Sequence, residues 1–302
     1  MRFLFVDRIL QLTPGEVVRG IKHITQDDYY LCRDAQGKAC FMPSLIGETL
    51  GQLAAWNVML SHDFKLRPVA GVVSSVHWYR EALVGETLLL ESFTDALDDT
   101  AVQYHSVASI GDEPVFRIEG ALGPLLPMGD FIDESIVRRQ FDEVNRPGDW
   151  ASCVLASSST LSDVDAPSHQ LDIDPHCTSF DRIIINEPGI SLSAEKRITR
   201  AAPYFPDHFP NKPVLPMTIL LECKCNLARE FVARAGFEQR YQLQGMRKIK
   251  MNVFVQPGDV VTTHLTVKKQ DEQELVLSFR SEVEGKRVCV LDMVLMPMKG
   301  SE

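Results

Sequence analysis

The chain repeats itself once, at a fixed spacing of 174 residues. VDRILQLTPGEVVRGIKHIT (6–25) lies beside FDRIIINEPGISLSAEKRIT (180–199) without a gap. Asp-Arg falls at 7–8 and 181–182, Pro-Gly at 14–15 and 188–189, and Ile-Thr at 24–25 and 198–199, each pair 174 apart. Tyr30 and Tyr204 keep that spacing, as do Gly71 and Gly245, and the turns at VGE (84–86) and QPGD (256–259) miss it by one residue. One offset shared by such separated features marks a tandem duplication of a whole folding unit, not a short-period solenoid. At 302 residues the chain has room for two ordinary domains, each with its own core.

Both copies read alike. A strand and a Pro-Gly turn lead to a second strand. A loop and then one long apolar helix follow, at 44–61 in the first copy and 217–235 in the second, where Gly236 is a natural stop. Strand patterns recur at 102–109, 114–122, 260–268, 274–283 and 286–296, and in KIKMNVFV (248–255) apolar residues alternate from Ile249 through Val255. The opening MRFLFVDRIL reads as a strand and not as a signal peptide. SLIGETLGQLAAWNVML and MTILLECKCNLAREFVA are apolar nearly all round, so each helix needs a wrapping, most simply a curved antiparallel sheet. The expected fold is therefore α+β, with units at 1–126 and 176–302 packed side by side. The segment between them, 127–175, reads as a linker because it contains the polar run SSSTLSDVDAPSH.

A net charge of -10 argues against non-specific binding to nucleic acid or anionic membrane. No run approaches the roughly 20 apolar residues of a membrane span. Seven cysteines without a regular framework read as reduced thiols of a cytoplasmic protein. The C-x-C at Cys223 and Cys225 lacks a second ligand pair at zinc spacing, and buried thiols are the better reading. Histidines 23, 62, 77, 105, 169, 176 and 264 are scattered and read as surface or core residues. The repeated Asp7-Arg8 and Asp181-Arg182 read as salt bridges. Arg247, Lys248 and Lys250 read as a solvated strand face, with docking of an acidic partner as the alternative.

His208 stands apart. It sits in PDHFPNKPVLP (206–216), where four prolines fix the backbone directly before the second apolar helix. Fourteen residues on, Glu222 interrupts that helix between Leu221 and Cys223. A buried carboxyl favours its protonated form and suits a general acid, although a helix carboxylate reaching water fits the pattern as well. HFPNKPVLPMTILLE resembles the active-site motif of the hotdog-fold 3-hydroxyacyl-[acyl carrier protein] dehydratases, His-Phe-Pro-Gly-x-Pro-Val-Met-Pro-Gly followed by a helical Glu fourteen residues after the His. FLFVDRILQLTPGEVVRGIKHIT and GMRKIKMNVFVQPGDVVTTHLTV are similar to that family's earlier and later strands. The resemblance implies two tandem hotdog units forming a pseudo-dimer, and elimination of water from a 3-hydroxyacyl thioester carried by acyl carrier protein or coenzyme A. It implies a histidine that takes the α-proton, a carboxyl group that protonates the departing hydroxyl, helix N-terminal N–H groups on the thioester carbonyl, and no metal or redox cofactor.

In the family the histidine of one unit meets the carboxylate of its neighbour. Subtracting 174 from Glu222 gives Glu48, with Gln52 one turn on and Gly47 and Gly51 expected to permit close backbone approach. Subtracting 174 from His208 gives Asp34, a poor base near neutral pH and a like charge opposite Glu222. The expectation is one complete site, His208 with Glu48, and one degenerate site, Asp34 with Glu222. Met217 and Ser44 stand for the family's glycine, whose role needs only a backbone N–H. Pro43 sits one residue off the register of Pro216, which calls for a small insertion and deletion. The Val214 carbonyl is placed to hold the second histidine nitrogen. A hotdog thioesterase, which would not need the His-Phe-Pro loop, and a non-catalytic acyl-binding protein are the competing readings. A dehydratase that also isomerises is disfavoured because its acid resembles Asp and not Glu48. Assembly of the two-unit chain into a homo-oligomer is left open.

Overall fold

A computed structural model of the chain describes residues 2–158, 176–237 and 239–298. In the first part, β1 (Arg8–Thr13) and β2 (Val17–His23) precede a small hairpin of β3 (Leu31–Arg33) and β4 (Ala39–Phe41), then α1 (Pro43–Ser61). There follow β5 (Leu66–Pro68), β6 (Val72–Trp78), β7 (Ala82–Leu83), β8 (Thr87–Leu97), β9 (Ala101–Ile110) and β10 (Glu113–Pro127). Two short helices come next, α2 (Glu134–Val144) and α3 (Trp150–Ser158). The second part runs β11 (Arg182–Glu187), β12 (Ser191–Arg197), α4 (Met217–Ala235), β13 (Tyr241–Met251), β14 (Val260–Gln270), β15 (Leu275–Val283) and β16 (Lys286–Pro297).

The fold is α+β, dominated by one long antiparallel sheet. Its order is β1-β2-β8-β9-β10-β6-β13-β16-β15-β14-β12-β11, with β5 on the side of β10. By the 174-residue spacing β1 corresponds to β11, β2 to β12, β8 to β14, β9 to β15, β10 to β16 and β6 to β13. The order therefore reads the same from either end, and the β6–β13 seam, with Met246 opposite Val76, lies at its centre. Gly245 makes this approach feasible, since a Cβ there would lie 2.3 Å from the Val76 carbonyl oxygen. The sheet curves around α1 and α4, which contact each other, and their apolar side chains Leu45, Leu50, Leu53, Ile219, Leu220 and Phe231 are buried. Gly236 ends α4 in the left-handed conformation at φ 67. Both helices span 19 residues and begin 174 apart (217 − 43), so no insertion or deletion separates them and Pro43 is the counterpart of Met217.

Several expectations are corrected. The start of the chain is not a strand up to Arg8: the Phe3 and Phe5 N–H groups donate to side chains, Asp207 Oδ2 at 2.7 Å and Gln52 Oε1 at 2.9 Å, in place of a ladder. Asp7 and Asp181 do not pair with the neighbouring arginines. Each accepts a backbone N–H at the end of the next strand, from His23 and Arg197 respectively, positions again 174 apart. The alternation in KIKMNVFV breaks after Met251. Lys248 adopts φ 55 at a bulge, Val253 is exposed, and the Val255 carbonyl accepts the Leu215 N–H. The chain there turns away to brace the loop after His208.

The segment read as a linker is structured from 128 to 158. Phe131, Ile132, Val137 and Phe141 are buried, the last two one helical turn apart on amphipathic α2. Phe141 contacts Trp56 and Phe64, and Phe131 meets Phe209 edge to face at 5.3 Å. The polar residues 159–175, most of the predicted linker signal, and His169 within them lie outside the described residues.

Candidate active site

The loop carrying His208 is held from several sides. Its N–H donates to Tyr204 O, its carbonyl accepts from Val214 N, and Asn211 N donates to Phe131 O at 2.9 Å. The imidazole stacks on Phe209, with centroids 4.0 Å apart, and meets the edge of Phe3. Nδ1 lies 2.9 Å from the Val214 carbonyl oxygen. A carbonyl only accepts, so Nδ1 carries the proton and Nε2 keeps its lone pair. Burial pushes the imidazole pKa below its usual value, opposed by Glu48 when that group is ionised, so the ring is neutral at neutral pH.

Glu48 comes from the other repeat and lines the same cavity. Gln52, one turn on in α1, donates from Nε2 to Glu48 Oε1 at 3.0 Å and to the Phe3 carbonyl at 3.1 Å. Thr218 in the first turn of α4 donates its hydroxyl to Glu48 Oε2 at 2.7 Å. The N-cap of α4 is Pro216, which offers no side-chain cap, so the first backbone donors of the helix are left without one, and Met217 and Thr218 line the cavity. The helix terminus adds a partial positive charge.

The cavity holds about 400 Å³ and is mostly apolar. Val72, Val76, Tyr104 and Phe116 form one wall and Met246 and Ile249 belong to the seam strand β13. Gly47 and Gly51 border this space and do not mediate the backbone contact expected of them. A Cβ at 47 would lie 3.3 Å from the Phe116 ring and one at 51 3.9 Å from the Tyr104 hydroxyl. Burial pushes the Tyr104 phenol up to about 12, so that hydroxyl stays protonated.

The expected second pair is not formed. Asp34 turns its carboxylate into the β3–β4 hairpin, where Oδ1 accepts the Gln36 and Lys38 N–H groups at 2.9 and 2.7 Å. Glu222, 1% exposed, accepts instead from the Ser44 hydroxyl and, at 3.4 Å, from the Ser44 N–H, with Arg229 Nη1 3.5 Å from its other oxygen. The reason is local. The first repeat replaces the proline loop by a hairpin paired with β7, and its aspartate closes the turn. Ser44 is thus the counterpart of Thr218, not of Met217. The spacing that pointed to Glu48 contained this pair too, since 218 − 44 is 174. Cys223 and Cys225 are buried free thiols, and no group of metal-ligating side chains occurs among the described residues. No helix among them is long and apolar enough to cross a membrane.

The ApeI-like family model, described as ApeI dehydratase, matches residues 185–291. The 3-hydroxyacyl-[acyl-carrier-protein] dehydratase FabZ of Shewanella woodyi is 32% identical over 129 residues, covering 40% of this chain and 84% of the relative. The chain belongs to the hotdog-fold 3-hydroxyacyl-acyl carrier protein dehydratase family. The FabZ of Rickettsia bellii is 30% identical over 122 residues, 38% of this chain and 84% of that one. Over nearly the whole length the fold resembles a putative oleoyl thioesterase from Lactobacillus plantarum (TM-score 0.58, 11% identity, 95% of this chain and 100% of that chain). It also resembles the 12:0-ACP thioesterase from Umbellularia californica (TM-score 0.53, 13% identity, 93% and 94%).

Proposed function

We propose that the chain is a double hotdog, units 1–126 and 176–302 joined through 127–175, that dehydrates 3-hydroxyacyl thioesters to trans-2-enoyl thioesters at one site. The observation that carries this is a neutral imidazole with a free Nε2 sharing one apolar cavity with the carboxyl group of the other repeat. In this reading His208 Nε2 removes the α-proton, and the enolate-like charge on the thioester oxygen meets the Met217 and Thr218 N–H groups at the start of α4. Glu48, positioned by Gln52 and Thr218, transfers its proton to the 3-hydroxyl, which leaves as water. The Val214 carbonyl fixes the tautomer throughout. The Shewanella relative's name places its substrate on acyl carrier protein. We assign the same class of carrier here, with the exposed Lys248 and Lys250 beside the seam as docking charges for an acidic partner.

The test is product analysis with a 3-hydroxyacyl pantetheine thioester. Formation of the 2-enoyl thioester, with its ultraviolet absorbance, is expected. Release of free thiol without enoyl product would establish a thioesterase instead.

A further inference from the structure

Arg67, in the middle of β5, places a guanidinium in the wall of the same cavity. Its Cζ lies 3.9 Å from the centroid of the Phe209 ring, the ring that stacks on His208, and 5.9 Å from that of Phe131. Its Nε is buried without a hydrogen-bond partner, and no hydrogen bond or ion pair among the described residues engages its two Nη groups. The Glu48 carboxyl group, which accepts from Gln52 and Thr218, makes no hydrogen bond or ion pair with it. A buried donor without an acceptor is costly, and in the wall of a cavity a ligand oxygen is the partner that can relieve the group. Burial draws the guanidinium pKa down to about 10, opposed by Glu48 in its ionised form, so it remains charged at neutral pH. Its charge also acts on His208. Arg67 therefore lines the cavity that holds both groups of the proposed reaction and stacks on the ring beside His208, with donors to spare.

A 3-hydroxyacyl thioester brings two oxygens to this end of the cavity. The carbonyl oxygen is accounted for by the N-terminus of α4. The hydroxyl oxygen on C3 must approach Glu48, and there the unpartnered donor is that of Arg67. We propose that Arg67 binds the departing 3-hydroxyl and offsets the charge that appears on Glu48 when its proton leaves; this rests on the dehydratase reading. In the step, the C2–H bond breaks and its proton goes to His208 Nε2, while the electron pair forms the C2=C3 bond. The C3–O bond breaks, and the oxygen takes the Glu48 proton and leaves as water. Glu48 is left a carboxylate and His208 an imidazolium, and proton exchange with solvent restores both. Arg67 donates to the oxygen throughout and is itself unchanged.

The experiment compares the full-length wild type with Arg67→Met and Arg67→Lys. It measures dehydration of a 3-hydroxydecanoyl pantetheine thioester and inhibition by the decanoyl thioester, which lacks the hydroxyl. Arg67→Met should lower kcat/KM about 100-fold, the scale of one lost transition-state donor, with inhibition by the decanoyl thioester unchanged. Arg67→Lys keeps the charge without the planar fork and should fall between the two. Activity of Arg67→Met within threefold of wild type overturns the assignment. So does a parallel loss of decanoyl binding, which would make Arg67 a packing residue for Phe209. Should Arg67→Met fail to fold, Arg67→Lys decides: a loss of tenfold or more supports the role and wild-type activity overturns it. A wild type that forms no enoyl product overturns the dehydratase reading itself, a result distinct from an active wild type with an active variant.

Discussion

Glu48 and Glu222 occupy corresponding positions on corresponding helices, yet their surroundings have diverged. Each accepts a hydroxyl from the first turn of the opposite helix, Thr218 for Glu48 and Ser44 for Glu222. Beyond that the two differ along one face. On α1 this face carries Gly47, Gly51 and Ala55, all lining the cavity. On α4 the same positions are Leu221, Cys225 and Arg229. Cys225 is buried and Arg229 reaches Glu222, so side chains fill what is open space beside α1. The partner loop differs too, a proline-braced histidine on one side and a hairpin on the other. A duplicated site is thus retained once as a cavity and once as a buried carboxylate paired with a half-exposed arginine.

The largest test of this contrast is the pair of equivalent carboxylates. His208→Ala and Glu48→Gln should each lose at least ~100-fold in kcat/KM for enoyl product, the scale of a general base or acid. Glu222→Gln should stay within threefold of wild type. A dead Glu222→Gln with an active Glu48→Gln would reverse the assignment of the two sites.

Next comes the open face itself. Gly51→Leu brings α1 toward the filled state of α4. It should lower kcat/KM for a ten-carbon substrate about 10-fold relative to a four-carbon one, the scale of a few methylenes in an apolar pocket. Equal losses for both lengths would mean that the acyl chain does not pass Gly51.

Much of this contrast was legible beforehand, and the reason is spacing. A rigid offset carries a known motif onto an unknown position, which is how Glu48 emerged from Glu222. The central helices were legible because they are long and apolar on most faces. What escaped were residues whose position depends on contacts distant in sequence. Arg67 lies on a strand of three residues, too short for any periodicity. Phe131, Val137 and Phe141 were hidden by the polar run that follows them, although Phe131 packs against Phe209 of the His208 loop, Phe141 against Trp56 of α1, and Val137 lines the cavity. Asp34 was carried over by arithmetic from a loop to a hairpin, where the spacing held and the backbone did not.

The third test concerns stability and leaves catalysis aside. Removing the counter-ion by Arg229→Met strands the Glu222 carboxylate in the interior. Loss of one partner of a buried pair costs roughly 3 kcal/mol, less here because the Arg229 side chain is 49% exposed. Glu222→Gln keeps an acceptor for Ser44 and frees Arg229 to turn to water, at about 1 kcal/mol. Thermal melts should rank wild type, Glu222→Gln and Arg229→Met in that order. A Glu222→Gln more stable than wild type would show that the desolvation of the pair outweighs its attraction.

The smallest expected effect is the attempt to restore the missing histidine. Asp34→His in a His208→Ala background places an imidazole where the 174-residue spacing asks for one. It should recover no dehydration, because the base alone is not what the first repeat lacks. Position 34 is in a hairpin turn, Glu222 is engaged by Ser44 and Arg229, and Cys225 and Arg229 take the space of the open face beside α1. The substitution also removes the acceptor of two turn hydrogen bonds, worth about 1 kcal/mol together on an exposed loop. Any enoyl product above the His208→Ala background would mean that the second site is still open to substrate, and that the loss of its histidine, not the filling of its helix face, was the change that silenced it.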